Sequence, residues 1–204
     1  LQAANSMPSR RSLDPINRML LLPPPEPELA QIWTDAIIAA SEQVPLAELV
    51  AMDQLLEQEP DIDKTIRITI LNRAIAIDDL SMEMQVSLLK RLVPLLLETQ
   101  QPVTAVALLD GIPEDQLDEE LIGLRFRSAL RARVFDTAAS VNNKPEDWIN
   151  FFETIRDSNP EDSEKLKDEI VDRFRPMLTE EMRTRLGVAN DPQMPDAGAS
   201  ASAS

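Results

Sequence analysis

Apolar residues recur at helical spacing along most of the chain. Between residues 28 and 188 they fall mainly at i, i+3, i+4 and i+7, the pattern of one buried face of an α-helix. Residues 65–77 are ambiguous, because Ile66, Ile68 and Ile70 alternate with polar residues as in a strand. The same stretch also forms a helical face, and no other segment offers it a partner strand, so we predict a helix there. The whole pattern predicts an all-α fold, with roughly eight or nine helices arranged as antiparallel hairpins.

The segment 81–99 is apolar on nearly every side of a helix, which is typical of a central helix that neighbours cover on both flanks. We expect Pro94 to kink or divide this helix, because proline lacks an amide donor and clashes with the preceding turn. Pro-Glu-Asp occurs at 113–115, 145–147 and 160–162. This motif is typical of helix starts, since acids in the first turn oppose the positive end of the helix dipole.

The distribution of residue types divides the chain into three parts. Residues 1–15 lack periodicity. Residues 1–27 are predicted to be a flexible head, residues 28–188 to be an all-helical domain, and the Ala/Ser-rich residues 189–204 to be a disordered tail or linker. The chain begins with Leu1 and small residues, as after removal of a signal peptide. We therefore expect the extracytoplasmic side of a bacterial membrane, and a membrane tether upstream of residue 1 stays open.

The predicted head contains a short apolar segment at 16–22, followed by a proline-rich stretch at 23–27 that favours a stiff, extended spacer. Ile16, Met19 and Leu20 lie at helical spacing, so this segment is predicted to dock as a short helix that orders only on contact. Two docking targets are open: the protein's own concave face, or a separate protein.

Composition excludes several kinds of chemistry. The 204 residues include no Cys and no His, which excludes thiolate metal sites, Cys nucleophiles and imidazole acid–base catalysis, and four Gly leave little for phosphate-binding loops. The net charge of −16 weighs against nucleic acid and favours a protein partner with a basic or apolar face. The longest apolar run is far shorter than the roughly 20 residues of a membrane span. We expect no cofactor.

Two short motifs have both a catalytic and a structural interpretation. Ser87 and Lys90 fit the S-x-x-K spacing of a Lys-activated Ser nucleophile, but the supporting motifs are missing. Asp78, Asp79 and Glu83 resemble the acidic magnesium motif of all-helical terpene synthases. The two aspartates are more simply interpreted as caps of the helix that follows. A carboxylate-based enzyme, metal-dependent or of the glycosidase type, is therefore the alternative function.

Two groups of residues are candidates for binding a partner. The basic cluster consists of Arg125, Arg127, Arg131 and Arg133. Pairing at i+4 with acids at the start of the same helix explains much of it, and a phosphate or acidic-peptide site is the other interpretation. Trp148 and Phe152 share one helical face, which is either a packed anchor for the last helices or a partly exposed binding hot spot.

An internal repeat adds to these patterns. Residues 101–109 and 134–141 are each a short predicted helix that follows a longer apolar one, and Ala105 and Ala138 occupy the same place 33 residues apart. Over residues 86–142 this resembles a pair of degenerate tetratricopeptide repeats, although the first helices lack that family's Trp and Gly–Tyr positions. The resemblance implies a short α-solenoid whose concave groove binds peptides or partner helices, without catalysis. The alternative interpretation is an antiparallel array of helices that is unrelated to that family.

The leading hypothesis is therefore a non-enzymatic protein–protein interaction module. It would act as an adaptor, a scaffold or an assembly subunit of a larger complex, and would bind its partner through a helical groove.

Overall fold

The computed structural model describes residues 35, 36, 39, 44–58 and 63–188. Within these residues the chain forms no strand, and nine α-helices have both ends in the described part, which confirms the all-α prediction. The helices are α1 (Leu46–Glu57), α2 (Lys64–Ile75), α3 (Met82–Glu98), α4 (Pro102–Asp110), α5 (Glu119–Arg131), α6 (Phe135–Val141), α7 (Pro145–Ile155), α8 (Pro160–Phe174) and α9 (Glu180–Leu186). Two single 3-10 turns cover Glu114–Gln116 and Arg175–Met177.

The chain divides into two compact units, residues 1–128 and 129–204, and the division falls inside α5. In the first unit, α1 packs on α2, α2 on α3 and α3 on α4. In the second unit, α7 packs on α8 and on α9. Adjacent helices are thus stacked, an arrangement compatible with a helical repeat.

The helix α3 is the centre of the first unit. Seven of its side chains are buried on several sides of the helix, as the sequence predicts: Leu88, Leu89, Leu92, Val93, Leu95, Leu96 and Leu97. The expected division at Pro94 is wrong, because the helix continues from Met82 to Glu98. A proline removes only one amide donor, and the buried side chains before and after it hold both halves of the helix to the same core.

Two of the three Pro-Glu-Asp motifs begin an α-helix, as predicted, and the third does not. Pro145 and Pro160 are the first residues of α7 and α8, as predicted, whereas Pro113 precedes only a 3-10 turn. The helix α5 begins later, after Asp118, whose carboxylate accepts the Leu121 N–H at 3.0 Å. Ser81 caps α3 by accepting the N–H of Met84 at 3.3 Å, so the aspartates before it are not the caps.

The connection from α3 to α4 has the same backbone geometry as the connection from α5 to α6. Gln100 and Arg133, 33 residues apart, both have φ of 59°. The next residue in each case donates its N–H to a carbonyl five residues earlier: Gln101 to Leu96 at 2.7 Å, and Val134 to Ala129 at 2.9 Å. This hydrogen bond and the left-handed residue before it are those of a Schellman helix end.

The same offset continues into the second helix of each hairpin. Ala105 donates its N–H to the Gln101 carbonyl at 3.2 Å, and Ala138 donates to the Val134 carbonyl at 3.0 Å. Both alanine side chains are fully buried. A small side chain at this point leaves room for another helix to approach closely.

Candidate partner-binding surface

The predicted docking residues Ile16, Met19 and Leu20 lie outside the described residues. Their docking stays a prediction.

Two of the arginines in the basic cluster form ion pairs with other elements. Arg125 of α5 donates from Nε and Nη2 to Asp110 Oδ1, at the end of α4, at 3.0 and 2.8 Å. Arg133 pairs with Asp162 of α8. The expected pairing with acids at the start of α5 is therefore wrong for these two residues.

The other two arginines lie along α5. Arg127 donates to the carbonyl of Gly123, one turn earlier in the same helix, at 3.3 Å, and Arg131 is exposed at the last residue of the helix. No ligand chemistry follows from their placement, so a role in binding an acidic group stays a prediction.

Lys90 is placed for an ion pair rather than for activating a nucleophile. Its Nζ contacts Asp118 and lies 3.0 Å from Glu120 Oε2, at the start of α5. The hydrogen bonds that Lys90 donates to Asp118 and then to Glu120 raise the pKa of Lys90. A lysine that activates a serine must lose its proton near neutral pH. The pair Ser87 and Lys90 therefore lacks the electrostatics of an S-x-x-K catalytic site.

The acidic motif at 78–83 brings no metal site together. Asp79 lies in a turn with φ of 61°, and Glu83 lies in the first turn of α3. Within the part of the chain that the structure describes, no three Asp or Glu side chains are grouped so that they could hold a metal ion.

Trp148 and Phe152 are buried in the second unit, at 0% and 2% exposure. The Trp148 ring lies 6.1 Å from Phe135 and packs edge-on against Phe174 at 5.3 Å. Its indole N–H donates to the Asn142 carbonyl at 2.8 Å. Both side chains thus anchor α7 in the core, and neither is accessible to a partner in this conformation.

Replacing Trp148 with phenylalanine tests this anchor. Trp148→Phe leaves the Asn142 carbonyl without its donor and opens a small cavity, so we expect a loss of about 2–3 kcal/mol in the free energy of unfolding. Urea denaturation measures the loss. Phe135→Leu is the control, since it trims a ring contact without removing a hydrogen bond, and an equal or larger loss in that control would contradict the expectation.

A buried ionic cluster joins α1, α2 and α3. Asp53 of α1 is fully buried, and its Oδ1 accepts from Arg67 Nε of α2 at 2.8 Å. Its Oδ2 lies 2.5 Å from Arg91 Nη2 of α3. Glu57, more exposed on the next turn of α1, contacts both arginines at 3.0 and 3.1 Å. Burial lowers the pKa of Arg67, but hydrogen bonds and charge from Asp53 and Glu57 outweigh it and raise the pKa.

Arg185 of α9 forms hydrogen bonds and ion pairs with α7. It donates from Nε and Nη2 to the two carboxylate oxygens of Glu153 at 2.9 and 2.7 Å, and from Nη2 to Asn150 Oδ1 at 2.6 Å. It also pairs with Glu146. The three acceptors are spaced at i, i+4 and i+7 and so lie on one face of α7. The hydrogen bonds to Glu153 and then Glu146 raise the pKa of Arg185, and the same contact lowers the pKa of Glu153.

Acid should weaken this contact. Because the pKa of Glu153 lies below its ordinary value of 4.5 in the folded chain, the stabilisation is present above that value and is lost as pH falls through the lower folded-state pKa. Glu153→Gln should therefore lose less Tm between pH 7 and pH 3 than the wild type. Glu181→Gln, whose side chain forms no salt bridge among the described residues, should keep the wild-type loss. Equal losses in the three proteins would refute the assignment.

The helix α4 presents an apolar face to solvent. Val103 is 68% exposed, and Thr104 and Ala107 beside it are also exposed, while Ala105, Val106 and Leu109 are buried on the opposite side. A helix that is apolar on all sides is normally covered on all sides. We call Val103, Thr104 and Ala107 the α4 face.

Exposed acids follow α4 along the chain. Glu114, Asp115 and Glu119 are exposed in and after the 3-10 turn, and none forms a salt bridge among the described residues. The α4 face was not singled out from the sequence. The only signal for it is that residues 102–109 contain a single polar side chain, Thr104.

Across the described residues no helix is both long and apolar enough to cross a bilayer. Comparisons with protein-family models, with curated proteins and with solved structures find no match to this chain. The class of protein is therefore defined by its fold alone: an all-α protein whose adjacent helices are stacked.

Proposed function

We propose that this chain is a non-enzymatic protein-interaction module, built as a short array of hairpins similar to tetratricopeptide repeats. The 33-residue offset carries the proposal, since it relates both the left-handed residues Gln100 and Arg133 and the buried alanines Ala105 and Ala138. Stacked hairpins of this kind create extended surfaces that bind other proteins. An adaptor, a scaffold or an assembly subunit are the roles that fit.

The α4 face and the acids after it favour a partner whose surface combines apolar and basic side chains. The α4 face offers uncovered apolar area, and Glu114, Asp115 and Glu119 offer unpaired negative charge in the segment after it. An acidic protein of net charge −16 attracts a basic protein surface and repels nucleic acid, which is polyanionic. A peptide or a partner helix with both features complements this surface.

Affinity capture with two matched variants tests the proposal. Val103→Glu places a charge on the α4 face, whereas Met177→Glu places the same charge on an exposed apolar residue of the second unit. A specific partner should be enriched by the wild type and by Met177→Glu, and lost with Val103→Glu. If no protein is enriched by the wild type, or if both variants retain it equally, the proposal fails in this form.

No observation favours the alternative of a carboxylate-based enzyme. The direct test of its metal-dependent form is calorimetric titration with Mg²⁺, Mn²⁺ and Ca²⁺. Binding of a stoichiometric ion would revive the alternative, and we expect no heat of binding.

A further inference from the structure

The α4 face differs from the corresponding face of α6, its counterpart in the internal repeat. Val103 and Ala107 of α4 correspond, 33 residues on, to Asp136 and Ser140 of α6. Asp136 is polar and forms an ion pair, since its Oδ1 accepts a hydrogen bond from Arg173 Nη2 at 2.8 Å. The hairpin therefore does not itself require apolar residues at these positions. Val103 is the most exposed large apolar side chain in the described part of the chain.

One segment of the chain has the chemistry that this surface needs. Residues 16–22 are apolar except for Asn17 and Arg18. Arg10, Arg11 and Arg18 are the only basic residues before Lys64, in a chain whose net charge is −16. Residues 1–22 are thus both apolar in part and locally basic, which complements the α4 face and the acids at 114–119.

We infer that residues 16–22 dock on the α4 face of the same molecule, with the neighbouring arginines directed to the acidic residues 114–119. This rests on the proposed function, because the segment would cover the surface assigned to the partner. The partner would then have to displace it, so docking in cis would regulate binding.

Chain length permits this docking. Residues 23–45 join the segment to α1. Residues 35, 36 and 39 among them are helical, so the residues before them, 23–34, set the reach, which is at most about 40 Å at roughly 3.3 Å per residue. A unit of 128 residues has a radius of gyration of about 14 Å, so every face of the first unit is within reach. A tether of this length gives an effective concentration in the millimolar range, so a small apolar contact suffices to populate the docked state.

The lack of cysteine makes disulfide trapping specific. We would combine Met19→Cys with Val103→Cys in the full chain, and as a control combine Met19→Cys with Met84→Cys, an exposed methionine of the same unit. At low micromolar protein, under a mild oxidant, the first pair should close within one chain at least about tenfold faster than the control. Adding Leu20→Asp should reduce the rate to that of the control.

Three results would overturn the inference: equal rates in the two pairs, a disulfide that forms between chains, or a rate that Leu20→Asp does not change. A disulfide between chains would identify a second copy as the occupant of the α4 face.

The capture experiment separates this inference from the proposed function. Fast closure of the Met19–Val103 pair, with no protein captured either by the wild type or by the undocked Leu20→Asp chain, would support docking in cis and refute the interaction module. Loss of a captured partner with Val103→Glu together with equal closure rates would support the module and refute docking in cis. If the chain is an interaction module and residues 16–22 also dock in cis, the Leu20→Asp chain should bind the partner more tightly than the wild type.

Discussion

Leu92→Asp is expected to abolish cooperative unfolding of the first unit. Leu92 is fully buried in α3, the helix that packs on both α2 and α4. A carboxylate there has no partner, and burying it costs several kcal/mol even if it takes up a proton. That cost is comparable with the whole stability of many domains, roughly 5–15 kcal/mol. Far-UV circular dichroism during heating would record a lost or strongly lowered transition.

Met84→Asp is the matched control for this substitution. Met84 lies in the first turns of the same helix and is 36% exposed, so its aspartate stays in water. We expect a change in the free energy of unfolding within about 0.5 kcal/mol, as for most surface substitutions. If Leu92→Asp melts within a degree or two of the wild type, α3 is not the centre of the core.

The fold class and the central helix could be predicted because both depend on local periodicity. The ambiguous segment 65–77 is helical up to Ile75, and the buried residues Ile66, Ile70 and Ala74 follow the helical spacing i, i+4 and i+8, although Ile68 is buried as well. The start of α5 follows from the local cap Asp118, whereas the continuity of α3 through Pro94 could not be predicted, since it depends on tertiary contacts. The buried leucines around Pro94 outweigh the lost hydrogen bond, which a local rule does not include.

The ion pairs could not be predicted either, because they too depend on tertiary contacts. Helical spacing relates residues within a helix, whereas Arg125 pairs with Asp110, and Lys90 with Asp118 and Glu120, across different elements. One sign of the buried cluster was present, because Asp53 follows Met52 inside the apolar stripe of α1. An acid at such a position indicates a partner of opposite charge, but only the packing of α2 and α3 identifies Arg67 and Arg91 as the partners.

Asp53→Ala should cost about 3–5 kcal/mol in the free energy of unfolding. Removing the fully buried carboxylate leaves two arginines, whose side chains are only 13% and 20% exposed, without their main counter-charge. Urea denaturation monitored by circular dichroism gives the loss from the shift of the midpoint. Glu57→Ala is the matched control on the same helix, since Glu57 contacts the same arginines but is 55% exposed, and it should cost under about 1 kcal/mol.

The origin of that cost can be tested by replacing the whole cluster. If the loss arises from stranded positive charge, then combining Asp53→Leu with Arg67→Met and Arg91→Met should restore most of the stability, because a well-packed apolar set can replace a buried ionic one. If the triple variant is no more stable than Asp53→Ala, the cluster instead contributes directional hydrogen bonds that join α1, α2 and α3. An equal loss in Asp53→Ala and Glu57→Ala would contradict both explanations, because burial would then not decide the strength of the contact.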